Sequence, residues 1–234
     1  MTQLRYSDIC EGTFIRRKNR FIAEVMVDGR ETVCHVKNTG RLKELLTKDA
    51  TVYLEKSSNP KRKTGLSLIS VEKDGRIVNI DSQVPNKVLY EALTGGKIKL
   101  PGFENITFLK QEYTYRSSRF DFYIESMNRM AYIEVKGVTL LDNGVAKFPD
   151  APTIRGVKHI YELMNAKKEG FDAFVIFIVQ MSDTRYFAPN DGTHKEFGDA
   201  LRLAKRNGVE IHAYECDTGP DFIEFNGRQC DVLL

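Results

Sequence analysis

Between Arg119 and Lys136 the chain reads RFDFYIESMNRMAYIEVK, and Asp121, Glu134 and Lys136 are the residues there whose types and spacing suit catalysis. Alternation on either side of a polar turn, Ser126 to Arg129, predicts two half-buried strands. With Glu125 paired to Met130, Ile124 faces Ala131, Phe122 faces Ile133 and Phe120 faces Val135, so one side of the hairpin is apolar. Asp121 then lies opposite Glu134 on the other side, with Arg119, Tyr123, Tyr132 and Lys136. Directly opposed carboxylates repel, and a hard divalent ion with oxygen ligands relieves that repulsion. Two acids and a nearby ammonium are what metal-assisted attack on a phosphodiester requires. The acids hold Mg²⁺ or Mn²⁺, the metal activates water and neutralises the phosphate, and the ammonium orients the nucleophile. A mixed-charge hairpin with one solvated face has the same pattern, so the triplet needs a supporting fold.

That fold divides near residue 82. From Gly12 to about Asp81, short alternating segments (GTFIRR, RFIAEVMV, ETVCHV, TVYLEKS, LSLISVE, RIVNI) are punctuated by Asp28-Gly29 and Asp74-Gly75, a hairpin signal. One helix is predicted among them, Gly40 to Leu46, with Leu42, Leu45 and Leu46 on one face. This pattern predicts a small all-β barrel over residues 1–82, of the oligonucleotide-binding (OB-fold) type, with a small SH3-like barrel as the alternative. Two basic clusters fall in its loops: Arg16, Arg17, Lys18 and Arg20, then Lys61, Arg62 and Lys63 after Asn59-Pro60. Such clusters either track a phosphate backbone or are solvated turns. Aromatic residues are few there (Phe14, Phe21, Tyr53), which favours binding without base readout.

Residues 83–234 read as an α/β unit. Ser82 to Asn86 is the expected linker, since Pro85 disfavours regular structure. A helix follows over Lys87–Thr94, whose Glu91 is either a third carboxylate near the metal or a surface charge. Ile106 to Tyr115 is a strand, the opening hairpin supplies two more, and the Gly- and Pro-containing connection Asp142–Pro152 is placed to cover the charged face. Thr153 suits the N-cap of a helix to about Lys168, with Gly170 beyond it and Val157, Ile160, Tyr161 and Met164 as its apolar stripe. AFVIFIV (Ala173–Val179) predicts a strand buried on both faces, hence a parallel neighbour. A helix over about Lys195–Asn207, a strand over Val209–Cys216 and an edge strand within Phe222–Leu234 complete a mixed sheet flanked by helices.

Composition sets outer bounds. At 234 residues, 41% hydrophobic and 29% charged, the chain suits one sizeable core or two modest ones. No apolar run approaches a membrane span, and the start MTQLRYSDICEG lacks a signal-peptide pattern, so a cytoplasmic location and no membrane partner are expected. Cys10, Cys34, Cys216 and Cys230 have no metal-type spacing and read as reduced thiols. Of the 35 Lys/Arg and 32 Asp/Glu, residues 1–82 hold sixteen and eleven, leaving nineteen and twenty-one for the rest. The basic part is the barrel, which suits a polyanionic partner there.

The order helix, three strands carrying Asp…Glu-x-Lys, helix, strand, helix, strand is similar to the common core of the PD-(D/E)xK (restriction-endonuclease-like) nuclease superfamily. HVKNTGRLKELL (35–46), PNKVLYEAL (85–93), SRFDF (118–122), EVKGVTL (134–140) and KFPDAPTIRGVKHIYEL (147–163) together resemble the sugar fermentation stimulation protein A family over nearly the whole chain. The resemblance implies an OB-fold barrel joined to a nuclease-like domain, nucleic acid (DNA) as partner with little sequence preference, and a link to sugar utilisation. Carried over by position, it makes Asp121 and Glu134 metal ligands, the Val135 carbonyl a third ligand and Lys136 the catalytic lysine. It sets Glu91 where many such nucleases place an extra acid, and Arg119, Thr139, Arg155 and His159 around the phosphate. Phe120 stands where the superfamily name has Pro, and Thr193-His194 where the family has Asp-Pro. A histidine beside a sheet also caps polar groups, so His159 keeps both readings. Three functions follow as expectations: a Mg²⁺-dependent nuclease, a non-catalytic DNA-binding regulator of sugar utilisation that retains a nuclease scaffold, and a structure-selective RNA binder. A homo-oligomer is compatible with all three.

Overall fold

The computed structural model describes residues 3–59 and 61–234. Pro60, part of the Asn59-Pro60 turn read from the sequence, and the first two residues of the chain lie outside them. After a two-residue strand β1 (Leu4–Arg5) come β2 (Ile9–Arg17), β3 (Ile22–Val27), β4 (Arg30–Val36), β5 (Thr51–Lys56), β6 (Leu66–Lys73) and β7 (Arg76–Asn79). β2 to β6 close into a five-stranded OB barrel, with β4 and β6 pairing in parallel at Cys34–Leu66, His35–Ser67 and Val36–Leu68. Alternation explains the closure, because Val52 and Leu54 of β5 point inward with Ala23, Val25, Cys34 and Val36 while their neighbours face out. Asp28-Gly29 and Asp74-Gly75 have positive φ at both residues, the backbone that matches the twist of a two-residue hairpin.

The expected helix over Gly40–Leu46 is instead a set of turns with Leu42 at φ 49°. Leu42, Leu45 and Leu46 are nonetheless all buried in the end of the barrel. Burying a leucine is worth about 2 kcal/mol, against about 1–2 kcal/mol for a left-handed residue, so packing outweighs helix propensity.

The second unit follows as α1 (Val84–Thr94), β8 (Phe108–Tyr115), β9 (Ser118–Ser126), β10 (Arg129–Val138), β11 (Leu140–Asp142), β12 (Val145–Phe148), α2 (Ile154–Lys168), β13 (Asp172–Val179), β14 (Tyr186–Pro189), α3 (Asp191–Arg206), β15 (Glu210–Thr218) and β16 (Phe222–Cys230). α1 begins within the expected linker, with Pro85 in its first turn, where a missing N–H costs nothing. The main sheet is mixed, in the order β1-β16-β15-β13-β10-β9-β8. β16 is therefore not an edge: β1, from the start of the chain, pairs with it. β13 is buried on both faces and runs parallel to β10 and β15, as its unbroken apolar sequence predicts.

α1 covers one face of the sheet through Val84, Val88, Leu89 and Leu93, and α2 and α3 cover the other. The polar face of the β9–β10 hairpin is covered, Tyr123 and Tyr132 by Tyr113 and Glu134 by His159 of α2, so the alternative of a solvated face does not hold. Phe120 packs on that same side, with its ring 5.3 Å from Tyr132, and not with Phe122 on the α1 face. On α2 itself Tyr161 is 48% exposed, while His159 and Leu163 turn inward with Ile160 and Met164. Thr153 does cap α2, its Oγ accepting from Gly156 N at 3.1 Å. The Asp191–Arg206 helix breaks at His194, so regular helix resumes at Lys195. The four cysteines are free thiols. Among the described residues no helix is long and apolar enough to cross a membrane.

The barrel and sheet are joined by polar contacts. Gln180, at the end of β13, is buried and donates from Nε2 to Asn79 O, Asn79 Oδ1 and Asp81 O at 3.0–3.1 Å. At a second point Arg41 N donates to Asp150 Oδ2 at 3.1 Å.

Candidate active site

A cleft of about 1220 Å³ runs between the barrel and the sheet, and Asp121, Glu134, Val135 and Lys136 all line it. The hairpin pairing brings them there. Residues 122–126 of β9 pair with 129–133 of β10, with Ile133 opposite Phe122 as the final pair, so the pairing stops short of the expected Asp121–Glu134 and Phe120–Val135 partners. Beyond that pair Asp121 Oδ2 accepts the Val135 N–H at 2.7 Å, so a side chain satisfies the backbone donor. Asp121 Oδ1 accepts from Asn86 Nδ2, on the first turn of α1, at 2.8 Å. Asn86 was assigned to the linker by sequence reasoning, and an amide in the first turn of a helix facing the hairpin is the one signal that marks it.

Glu134 is 2% exposed. Its Oε1 receives the Lys136 ammonium and, at 2.6 Å, His159 Nδ1. Arg155 Nε donates to His159 Nε2 at 3.3 Å, so these two contacts place the imidazole proton on Nδ1. Glu134 Oε2 is buried without a hydrogen-bond partner. Burial pushes the Glu134 carboxyl up, but Lys136 and His159 outweigh it and hold it below the ordinary range. Asp121 goes the other way: burial raises it, and the adjacent Glu134 charge raises it further. Among the described residues no three His, Cys, Asp or Glu side chains gather to hold a metal, so the donors on offer are these two carboxylates and main-chain oxygen.

Close packing keeps the β10 end fixed. A Cβ at Gly137 would lie 2.3 Å from Gln180 Oε1 and 2.8 Å from Pro85 Cγ, so only glycine follows Lys136 there. The FPDAPT segment is pinned from two sides, by Arg41 through Asp150 and by the start of α3, where Asn190 Nδ2 donates to Pro149 O (3.0 Å) and His194 Nδ1 accepts from Thr153 N (3.3 Å).

The other sequence-derived residues divide. Arg119, Thr139, Arg155 and His159 line the cleft. Glu91 does not; it faces β16 beside Ile223 and Phe225, and Asn86 stands where an α1 group meets Asp121. Arg16, Arg17 and Arg20 line the cleft, but Arg16 joins Lys18 in neutralising the buried Glu24. Arg17 is structural: its guanidinium donates to the carbonyls of Asn19, Arg20, Asn38, Gly40 and Arg41 at 2.5–3.2 Å. Arg17→Ala strands these acceptors and should lower the unfolding free energy by about 2–3 kcal/mol, read from a urea midpoint. Unchanged stability with lost affinity for DNA would return Arg17 to the phosphate-binding set. Lys61, Arg62 and Lys63 lie away from the cleft in the β5–β6 loop, where Arg62 donates to Ser67 Oγ. Sequence reasoning missed Arg41, Lys43 and Lys48, which are exposed on the barrel wall of the cleft. Like Arg20, they have no carboxylate partner among the described residues. Their signal is three cations within RLKELLTK, a stretch whose sequence reading rested on its leucines alone.

Residues 83–222 match the family described as "Sugar fermentation stimulation protein RE domain", and residues 15–80 match "SfsA N-terminal OB domain". The chain is 53% identical over 231 residues to a sugar fermentation stimulation protein homolog of Clostridium beijerinckii, covering 99% of this chain and 100% of that one. It is 51% identical, with the same coverage, to a homolog from Ruminiclostridium cellulolyticum. The solved structure of Pyrococcus furiosus SfsA in complex with Ca²⁺ superposes with a TM-score of 0.90, at 28% identity and with 100% of each chain covered. The chain belongs to the sugar fermentation stimulation protein family.

Proposed function

We propose that the protein is a divalent-metal-dependent phosphodiesterase that cleaves DNA with little sequence preference. One observation carries this reading: Glu134 Oε2 is buried beside Asp121 with no hydrogen-bond partner. An unpaired buried carboxylate oxygen is costly, and a second negative charge beside it adds repulsion that a cation removes. Asp121, Glu134 and the Val135 carbonyl form an all-oxygen set suited to Mg²⁺ or Mn²⁺, and the relative from P. furiosus is a complex with Ca²⁺, another hard divalent ion. When bound, such an ion acidifies water and neutralises charge on the scissile phosphate.

The protein's own groups do the rest. Asn86 and the Val135 N–H fix the Asp121 carboxylate, and His159, held by Arg155, fixes Glu134. Lys136 places an ammonium where the attacking water and the developing phosphate charge meet. Arg119 and Arg155, on the same cleft, hold the phosphate in line. Plasmid and single-stranded DNA should be cut with Mg²⁺ or Mn²⁺, not with EDTA, and not by Asp121→Ala. Equal cutting by Asp121→Ala would overturn the site.

The family's description supports a second reading, a non-catalytic DNA-binding protein linked to sugar utilisation. Salt-sensitive DNA binding with no cleavage under any divalent metal would favour it.

A further inference from the structure

Two large apolar side chains stand in the open next in sequence to cleft-lining residues, and nothing in the proposed chemistry uses them. Ile154, the first residue of α2, is 85% exposed between Thr153 and Arg155, both cleft-lining. Phe21 is 52% exposed on the opposite domain, next to the cleft-lining Arg20. Each is held in place. The Phe21 N–H donates to Asn19 Oδ1 at 2.9 Å and its carbonyl accepts from Val36 N at 2.8 Å, while Ile154 follows the Thr153 cap. Exposed apolar groups on ordered backbone beside a cationic cleft match the way nucleic-acid-binding proteins stack on or wedge between bases.

The depth of the site bears on which form of DNA can use them. Glu134 lies deep in the cleft beside α2, and the contact from Arg41 N to Asp150 Oδ2 ties the barrel to the sheet. About 1220 Å³ is little more than a large small-molecule pocket, room for a few nucleotides of one strand. A paired duplex is a stiff double rod, and a recess of this size suits the more flexible backbone of a single strand better. Arg20, Arg41, Lys43 and Lys48 line the same cleft with exposed, unpaired charge that a single backbone can follow.

We infer that the cleft takes one strand of DNA, and that Phe21 and Ile154 hold unpaired bases at its mouth. This rests on the phosphodiesterase reading for its chemistry but not for its binding, so the test is made in EDTA. Fluorescence anisotropy should show a labelled single-stranded oligonucleotide binding about tenfold or more tighter than the same strand annealed to its complement. Phe21→Ala and Ile154→Ala should each remove much of that preference without changing the salt slope, since stacking is not counterion release. Both positions are exposed, and an unchanged melting temperature verifies the fold of each variant. Duplex binding as tight as the single strand, or both variants binding as the parent does, would overturn the inference. Equal cleavage of duplex and single strand would also overturn it while sparing the phosphodiesterase. Single-strand preference lost in both variants, with no cleavage under any metal, would keep this inference and remove the other.

Discussion

Lys136→Ala should lower DNA cleavage on the order of 10²–10³-fold while leaving DNA affinity in EDTA nearly unchanged. The ammonium pairs with Glu134 Oε1 at the floor of the cleft, whereas the exposed cations lie on its barrel wall. Removing Lys136 therefore takes charge from the reacting phosphate and little from the bound strand. Lys136→Arg keeps the charge but replaces a compact point donor with a planar fork, and it should recover only part of the rate. Single-turnover cleavage with saturating Mn²⁺ separates the rate from binding. A full rate for Lys136→Ala would remove this residue from the mechanism, and an equal fall in affinity and rate would make it a binding residue.

The second large effect belongs to the barrel. Replacing Arg20, Arg41, Lys43 and Lys48 together with Ala should weaken DNA binding by about 10²-fold or more near 0.1 M salt. It should also flatten the dependence of log K on log salt by about 3, at roughly 0.7 per lost contact on a single strand. The same replacement at Lys61, Arg62 and Lys63, outside the cleft, should change the slope by less than about 1. An unaltered slope in the first variant, or a larger change in the second, would place the nucleic-acid path on the β5–β6 loop. A combined Arg16, Arg17 and Lys18 variant is a poorer test, because it also unseats Glu24 and the five carbonyls held by Arg17.

The contrast between those clusters shows what a sequence can convey. The β9–β10 pairing was legible because a period of two leaves a single register that gathers the apolar side chains, and Ile124–Ala131 and Phe122–Ile133 pair accordingly. The barrel strands were legible for the same reason, and the doubly buried β13 from its unbroken apolar run. Whether a given arginine is available was not. Arg17 and Arg20 have the same type and neighbourhood, and only the fold brings the carbonyls of Asn38, Gly40 and Arg41 to one of them. Glu91 and Asn86 show the same limit on α1, where five residues along a helix decide which of them meets Asp121 and which meets β16. The turns at 40–46 were missed because three leucines at helical spacing also suit a plug for a barrel end. His159 falls outside the apolar stripe predicted for α2, yet its contact with Glu134 draws it inside.

The pairing of β1 with β16 makes the barrel an insertion: Leu4 and Arg5 lie beside Ile223 and Phe222 in one sheet, and residues 9–79 form an excursion from it. Severing the polypeptide near residue 82 would not release two modules, since the larger would lose its outermost strand along with the smaller. Both flanks of the excursion return to the same body, so the barrel is tethered twice and has little freedom to swing. The width of the channel beside it is therefore set by the covalent path of the chain as well as by the contacts across it.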